Sequence, residues 1–102
     1  MTRKAKVYNH NILAGLLIEE EEGYVFEYDK KYSGPPISLT MPTSVEKYCF
    51  ESFPPFFDGL LPEGVMLEAL LKKAKLDRND YFSQLITVGH DMVGAVTVEE
   101  CK

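Results

Sequence analysis

Phe53-Pro54-Pro55-Phe56-Phe57-Asp58-Gly59-Leu60-Leu61 occupies the middle of this chain, and its reading decides the fold. Five of the nine residues are large and apolar, so the stretch must be buried, in the chain's own core or against a partner. Two prolines and a glycine constrain its path, and Pro62-Glu63-Gly64 follows at once, which forces a sharp turn. Upstream, apolar residues recur in strand period; downstream, they recur in helical period. The stretch is the join between the two.

Upstream, Ile37, Leu39 and Met41 alternate with Ser38 and Thr40, which predicts a strand over Ile37 to Met41, ended by Pro42. Thr43 to Glu51 reads as irregular. Asp29 to Pro36 is a loop rich in Lys, Ser, Gly and Pro. Tyr24, Phe26 and Tyr28 alternate with Val25 and Glu27 and give the clearest strand, with an aromatic face. Glu19 to Glu22 is an acidic turn closed by Gly23. Lys4 to Tyr8 and Ile12 to Ile18 form a hairpin through Asn9-His10-Asn11. Gly15 inside the second of these strands predicts a bulge or close packing.

Downstream, Ser52 is placed to cap a short helix with Pro54 near its first turn. Phe56, Phe57, Leu60 and Leu61 then share one helical face. Val65 to Lys75 is the best helix, with Met66, Leu67, Leu70, Leu71 and Ala74 as its apolar stripe. Lys72, Lys73 and Lys75 complement its macrodipole. A third helix is predicted from Asn79 or Asp80, with Tyr81, Phe82, Leu85 and Ile86 facing the core. Gly89-His90-Asp91 is a turn, and Ala95 to Glu99 is a final strand. The class is α+β: a largely antiparallel sheet of about five strands with two to three helices packed against it.

A length of 102 residues makes residues 1–102 a single domain. With 45% hydrophobic and 26% charged residues, the composition is that of an ordinary soluble globular protein. A net charge of −5 argues against direct nucleic-acid binding. No apolar run approaches the ~20 residues of a membrane span, and the polar first residues do not resemble a signal peptide. Cys49 and Cys101 fit no metal spacing and read as reduced thiols, which suits the cytoplasm.

Chemistry-bearing patterns are absent. His10 and His90 are the only histidines, and His90-Asp91 are too close in sequence to act as a base and its orienting group. There is no phosphate-binding glycine loop, zinc spacing or kinase signature. No catalytic, cofactor or metal residues are assigned. Asp58 and Glu63 flank the apolar turn, either holding backbone amides there or meeting a partner.

Four stretches together resemble the N-terminal subdomain of HipA-type serine/threonine kinases, the toxins of bacterial toxin–antitoxin modules. They are Val25-Phe26-Glu27-Tyr28; Pro36-Ile37-Ser38-Leu39-Thr40-Met41-Pro42; Phe56 to Gly64; and Ile86 to Thr97. Their order and spacing agree as well, so the likeness runs from Val7 to Val98. In such kinases a long body with the ATP site follows, whereas this chain stops at Lys102. A free-standing copy is similar to HipS, the small component of tripartite HipBST modules. The resemblance implies an antitoxin without enzymatic activity that binds and restrains the kinase HipT. A HipB-like DNA-binding protein would join the larger complex, and the chain by itself would be a monomer. The alternative is a structural part of a split kinase, required for its folding or activity. The kinase-contacting residues expected are Asp58, Gly59, Leu61, Pro62, Glu63, Gly64, Val65 and Met66. Relatives commonly carry tryptophan where this chain has Val65.

Overall fold

A computed structural model describes residues 2–89 and 94–101. The elements run β1 (Arg3–Asn9), β2 (Ile12–Glu20), β3 (Gly23–Tyr28), β4 (Lys47–Phe50), α1 (Pro55–Asp58), α2 (Gly64–Ala74), α3 (Tyr81–Val88) and β5 (Val96–Cys101). The strands form one five-stranded sheet of order β4-β3-β2-β1-β5, antiparallel at every pairing. The expected α+β class is what the chain adopts.

The period-2 pattern sets the faces. Ala5 and Val7 of β1, Leu17 of β2, Phe26 and Tyr28 of β3 and Val96 and Val98 of β5 are buried on one side. Phe53, Phe57, Leu61, Phe82 and Leu85 come from the helical half and complete the same cluster. Edge and tilted ring contacts join the two layers, with Phe26 to Phe57 at 5.8 Å and Tyr24 to Phe53 at 5.2 Å.

Gly15 behaves as its position in a strand suggests. The β1–β2 register slips between Val7, opposite Gly15, and Tyr8, opposite Leu13, which leaves Ala14 as the extra residue of a bulge. A Cβ on Gly15 would stand 2.2 Å from the Glu27 carbonyl oxygen, so β3 could not lie this close to a side chain. The turn at Asn9-His10-Asn11 is confirmed, with His10 and Asn11 both at positive φ.

The fourth strand is not where the alternation put it. Ile37 to Met41 is a series of bends and turns, and β4 lies instead at Lys47–Phe50, inside the stretch read as irregular. Local polar groups explain the first half. The Thr40 N–H donates to Ser38 Oγ, the two hydroxyls share a 2.9 Å bond, and the Met41 N–H closes on the Ser38 carbonyl at 3.1 Å. Such side-chain bonds compete with a sheet ladder. Ile37 and Met41 are buried by this turn, but Leu39 is 96% exposed, which no inward-facing strand position would tolerate. Tyr48 and Phe50 do alternate with Lys47 and Cys49, a short signal that lies between two proline-rich segments.

Three tyrosine hydroxyls hold the long 29–46 connection to the sheet, that of Tyr32 by accepting from the Asn9 side-chain amide of β1 at 3.0 Å. Tyr28 donates to the Met41 carbonyl at 2.5 Å and accepts from the Ile37 N–H at 3.1 Å. Tyr48 donates to the Pro42 carbonyl at 2.6 Å and Tyr32 to the Pro35 carbonyl at 2.5 Å.

The helices follow the sequence closely. Asp80 caps α3 by accepting from the Ser83 N–H at 3.1 Å. The buried Gln84 side chain donates to the Asp77 and Arg78 carbonyls, both at 3.0 Å, and so satisfies the α2–α3 link from beneath. Both cysteines are free thiols. The expected turn at Gly89-His90-Asp91 lies partly outside the described residues. Among the described residues, no helix is long and apolar enough to cross a membrane.

Candidate functional site

The central stretch builds a corner. Phe53 and Pro54 each precede a proline, which biases both towards extended backbone. Helix α1 therefore begins only at Pro55, and Pro54, at φ −59° and ψ 131°, holds the capping position. Ser52 does not cap it: it lies exposed, two residues too early, and α1 has no side-chain cap. After this single turn, the Leu60 and Leu61 N–H groups bond the Phe57 and Asp58 carbonyls at 3.1 Å, continuing the tight winding to Pro62.

This winding separates root from tip. Phe57 is fully buried and Leu61 is 8% exposed, both within the core cluster. Pro62 is half-buried, and Glu63, extended at φ −129°, turns the chain outward. Gly64 starts α2 at φ +60°, a left-handed conformation that a side chain would strain. Val65 and Met66 then occupy the first turn of α2 at 85% and 70% exposure.

Of the expected contact residues, the structure thus brings together Asp58, Gly59, Glu63, Gly64, Val65 and Met66 as exposed groups around one corner. Leu61 faces the other way, into the core, and supports that corner from below. Asp58 and Glu63 make no side-chain hydrogen bond among the described residues, so neither carboxylate serves the backbone amides of the turn.

Helix α2 differs from its expected apolar stripe in degree. It carries no fully buried residue: Leu67, Leu70, Leu71 and Ala74 are half-buried and Met66 is exposed. The helix packs on α3. It ends at Lys75, left-handed at φ 57°, whose N–H bonds the Leu71 carbonyl, and Lys72 and Lys73 occupy its last turn. The corner and the first turn of α2 therefore form an apolar projection on a fixed base, flanked by the carboxylates Asp58 and Glu63.

Leu39 is an exposed apolar residue that the sequence did not single out, because its alternation mimics a strand. No group of His, Cys, Asp and Glu among the described residues is arranged to hold a metal ion.

The comparisons agree with this geometry. The family model described as the HipA N-terminal domain matches residues 5–99. An uncharacterized protein of Haemophilus influenzae is 32% identical over 102 residues, spanning 100% of this chain and 96% of that one. A solved structure described as the N-terminal domain of HipA toxin superposes with a TM-score of 0.81 at 31% identity. That alignment covers 98% of this chain and 93% of the other.

Proposed function

This chain belongs to the HipA N-terminal domain family, and from that premise we propose that it is a regulatory binding protein, an antitoxin that docks on a HipA-like serine/threonine kinase. The kinase corresponds to HipT of a HipBST-type module, with a HipB-like DNA-binding protein in the larger complex. The chain carries no catalytic step of its own. It works in the cytoplasm and is a monomer until it meets the kinase.

The observation that supports this reading is the division of the central stretch. Phe57 and Leu61 root the corner in the core, while Val65 and Met66 project from it. Large apolar side chains on a rigid base bind with little ordering loss, and a few such anchors carry most of an interface's affinity. Asp58 and Glu63 beside them offer partners to basic groups on the kinase.

The test is co-expression of a HipA-like kinase from the same genome with and without this chain. Relief of growth arrest and co-purification of a complex are expected. Unrelieved arrest with no complex would sink the antitoxin reading. Autophosphorylation of the purified kinase gives the sign: an antitoxin lowers it, whereas a structural part of a split kinase raises it.

A further inference from the structure

The two edges of the sheet are finished differently. On β5 the outward Val98 N–H donates to the Gly89 carbonyl at 3.1 Å. The Gly89 backbone lies so close that a Cβ there would stand 2.0 Å from the Val98 carbonyl oxygen. That edge is covered at Val98. On β4 the Tyr28 N–H donates to the Glu46 carbonyl at 2.8 Å, and in the same register Phe26 faces Tyr48 and Tyr24 faces Phe50. Antiparallel pairs alternate between bonded and non-bonded. Tyr48 and Phe50 therefore spend their backbone groups on β3, and the N–H and C=O groups of Lys47 and Cys49 point away from the sheet. Among the described residues nothing pairs with them, and β4 is the last strand in the order.

The two faces of this open edge have distinct chemistry. On the helix side an apolar cavity of about 250 Å³ is lined by Thr40, Met41, Tyr48, Phe50, Pro55 and Phe56. On the opposite face Glu20, Glu22 and Glu51 stand around Cys49 and Gly23. Successive side chains of an added strand fall on opposite faces. One set would meet the apolar cavity and the other the three carboxylates beside Cys49, with Lys47 two residues along the same face.

We propose that the β4 edge accepts an extended peptide segment of a protein partner in which large apolar residues alternate with lysines or arginines. The main chain of the segment supplies hydrogen bonds to Lys47 and Cys49. Its apolar side chain fills the cavity beside Met41 and Phe56, and its cations pair with the Glu20, Glu22 and Glu51 side. This is strand addition, in which backbone bonds give affinity and the side-chain sites give choice. Natural sheets usually blunt or cover an open edge, as Gly89 does at Val98 of β5 here. Val65 and Met66 line neither surface, so this site goes beyond the docking corner and the two readings fail separately.

The test uses the full chain and a fluorescein-labelled peptide Thr-Lys-Phe-Lys-Val-Lys-Thr, with the Glu-for-Lys peptide as control, read by fluorescence anisotropy. Saturable binding of the basic peptide is expected, at least tenfold tighter than the acidic one. Cys49→Pro removes an outward N–H without touching the β3 ladder, and proline is tolerated at such edge positions. It should weaken binding at least tenfold. Amide exchange in the unsubstituted chain gives an independent reading, with the Lys47 and Cys49 amides slowing when the peptide is added. The proposal is overturned if neither peptide saturates, if the acidic peptide binds as well, or if those two amides do not slow. It is also overturned if sedimentation equilibrium shows a dimer that Cys49→Pro dissociates, which would give the edge to a second copy.

Discussion

Arg3 and Asp80 are joined by a 2.8 Å hydrogen bond from guanidinium Nη2 to carboxylate Oδ1, across 77 residues of sequence. The same guanidinium grips Glu19 on β2 at 2.6 and 2.9 Å, donates to Ser83 Oγ at 2.8 Å, and lies 4.9 Å over the Phe82 ring. One side chain thus ties β1, β2 and α3 together. Arg3→Met keeps the aliphatic stem and removes the fork. The groups are about one-third exposed, so the expected loss is modest, about 1–2 kcal/mol in urea unfolding. An unchanged midpoint would show that the network contributes nothing.

The same cluster sets a pH dependence. Burial pushes the Asp80 carboxyl up, but the bonds from Arg3 and from the Ser83 hydroxyl and N–H outweigh it, and the net displacement is below the ordinary carboxylate value. A group with a depressed folded pKa contributes stability that is present above its unfolded value and lost as pH falls through the folded one. The melting temperature should therefore fall as pH drops below about 4. In Asp80→Asn, which still caps α3, that part of the slope should disappear. Melting curves from pH 6 to pH 3 on both proteins decide it.

Tyr28 bridges the sheet and the 37–42 turn through one hydroxyl. Tyr28→Phe leaves the buried Ile37 N–H and Met41 carbonyl without their partner. The expected destabilisation is roughly 1–3 kcal/mol. Faster exchange at the Ile37 amide should accompany it, measured by hydrogen exchange followed by NMR. Unaltered exchange there would mean that the turn is held by other contacts.

The corner predicts opposite outcomes for neighbouring substitutions. Phe57→Ala and Leu61→Ala empty core positions and should each cost about 2–5 kcal/mol. Val65→Asp places a charge on an exposed site, so its stability should stay within about 0.5 kcal/mol. Its affinity for the HipA-like kinase proposed as partner should fall at least tenfold in a titration. Retained affinity in folded Val65→Asp would remove the corner from the contact surface.

Gly15→Ala tests the close approach of β2 and β3. Its Cβ would collide with the Glu27 carbonyl, a backbone atom that cannot swing aside. A loss on the order of 1–3 kcal/mol is expected from overpacking, read as a lower unfolding midpoint. Wild-type stability would mean that the bulge relaxes freely.

Much of the fold and of the corner can be read directly from residues. The hairpin around Asn9-His10-Asn11, the aromatic strand at Tyr24 to Tyr28 and helices α2 and α3 all follow from strong local patterns. The sharp turn at Pro62-Glu63-Gly64 after an apolar run was legible, but Leu61, read as a contact residue, belongs to the buried root and not to the exposed tip. The Ile37 to Met41 strand failed because alternation there arises from a turn that buries Ile37 and Met41 and exposes Leu39 between them. Three-residue hydroxyl bonding between Ser38 and Thr40 leaves no trace in hydropathy.

By itself, then, the sequence determined where the chain turns, which residues are too apolar to stay in water, and how the central stretch separates its strands from its helices. These are local consequences of backbone restriction at proline and glycine and of side-chain period. Only the tertiary structure decided that Arg3 meets Asp80, that three tyrosine hydroxyls hold the 29–46 connection, and that Lys47 and Cys49 turn their backbone groups away from β3 with no partner among the described residues. Those relationships join residues far apart in the chain, or depend on which neighbour occupies each face and edge. No local propensity carries that information.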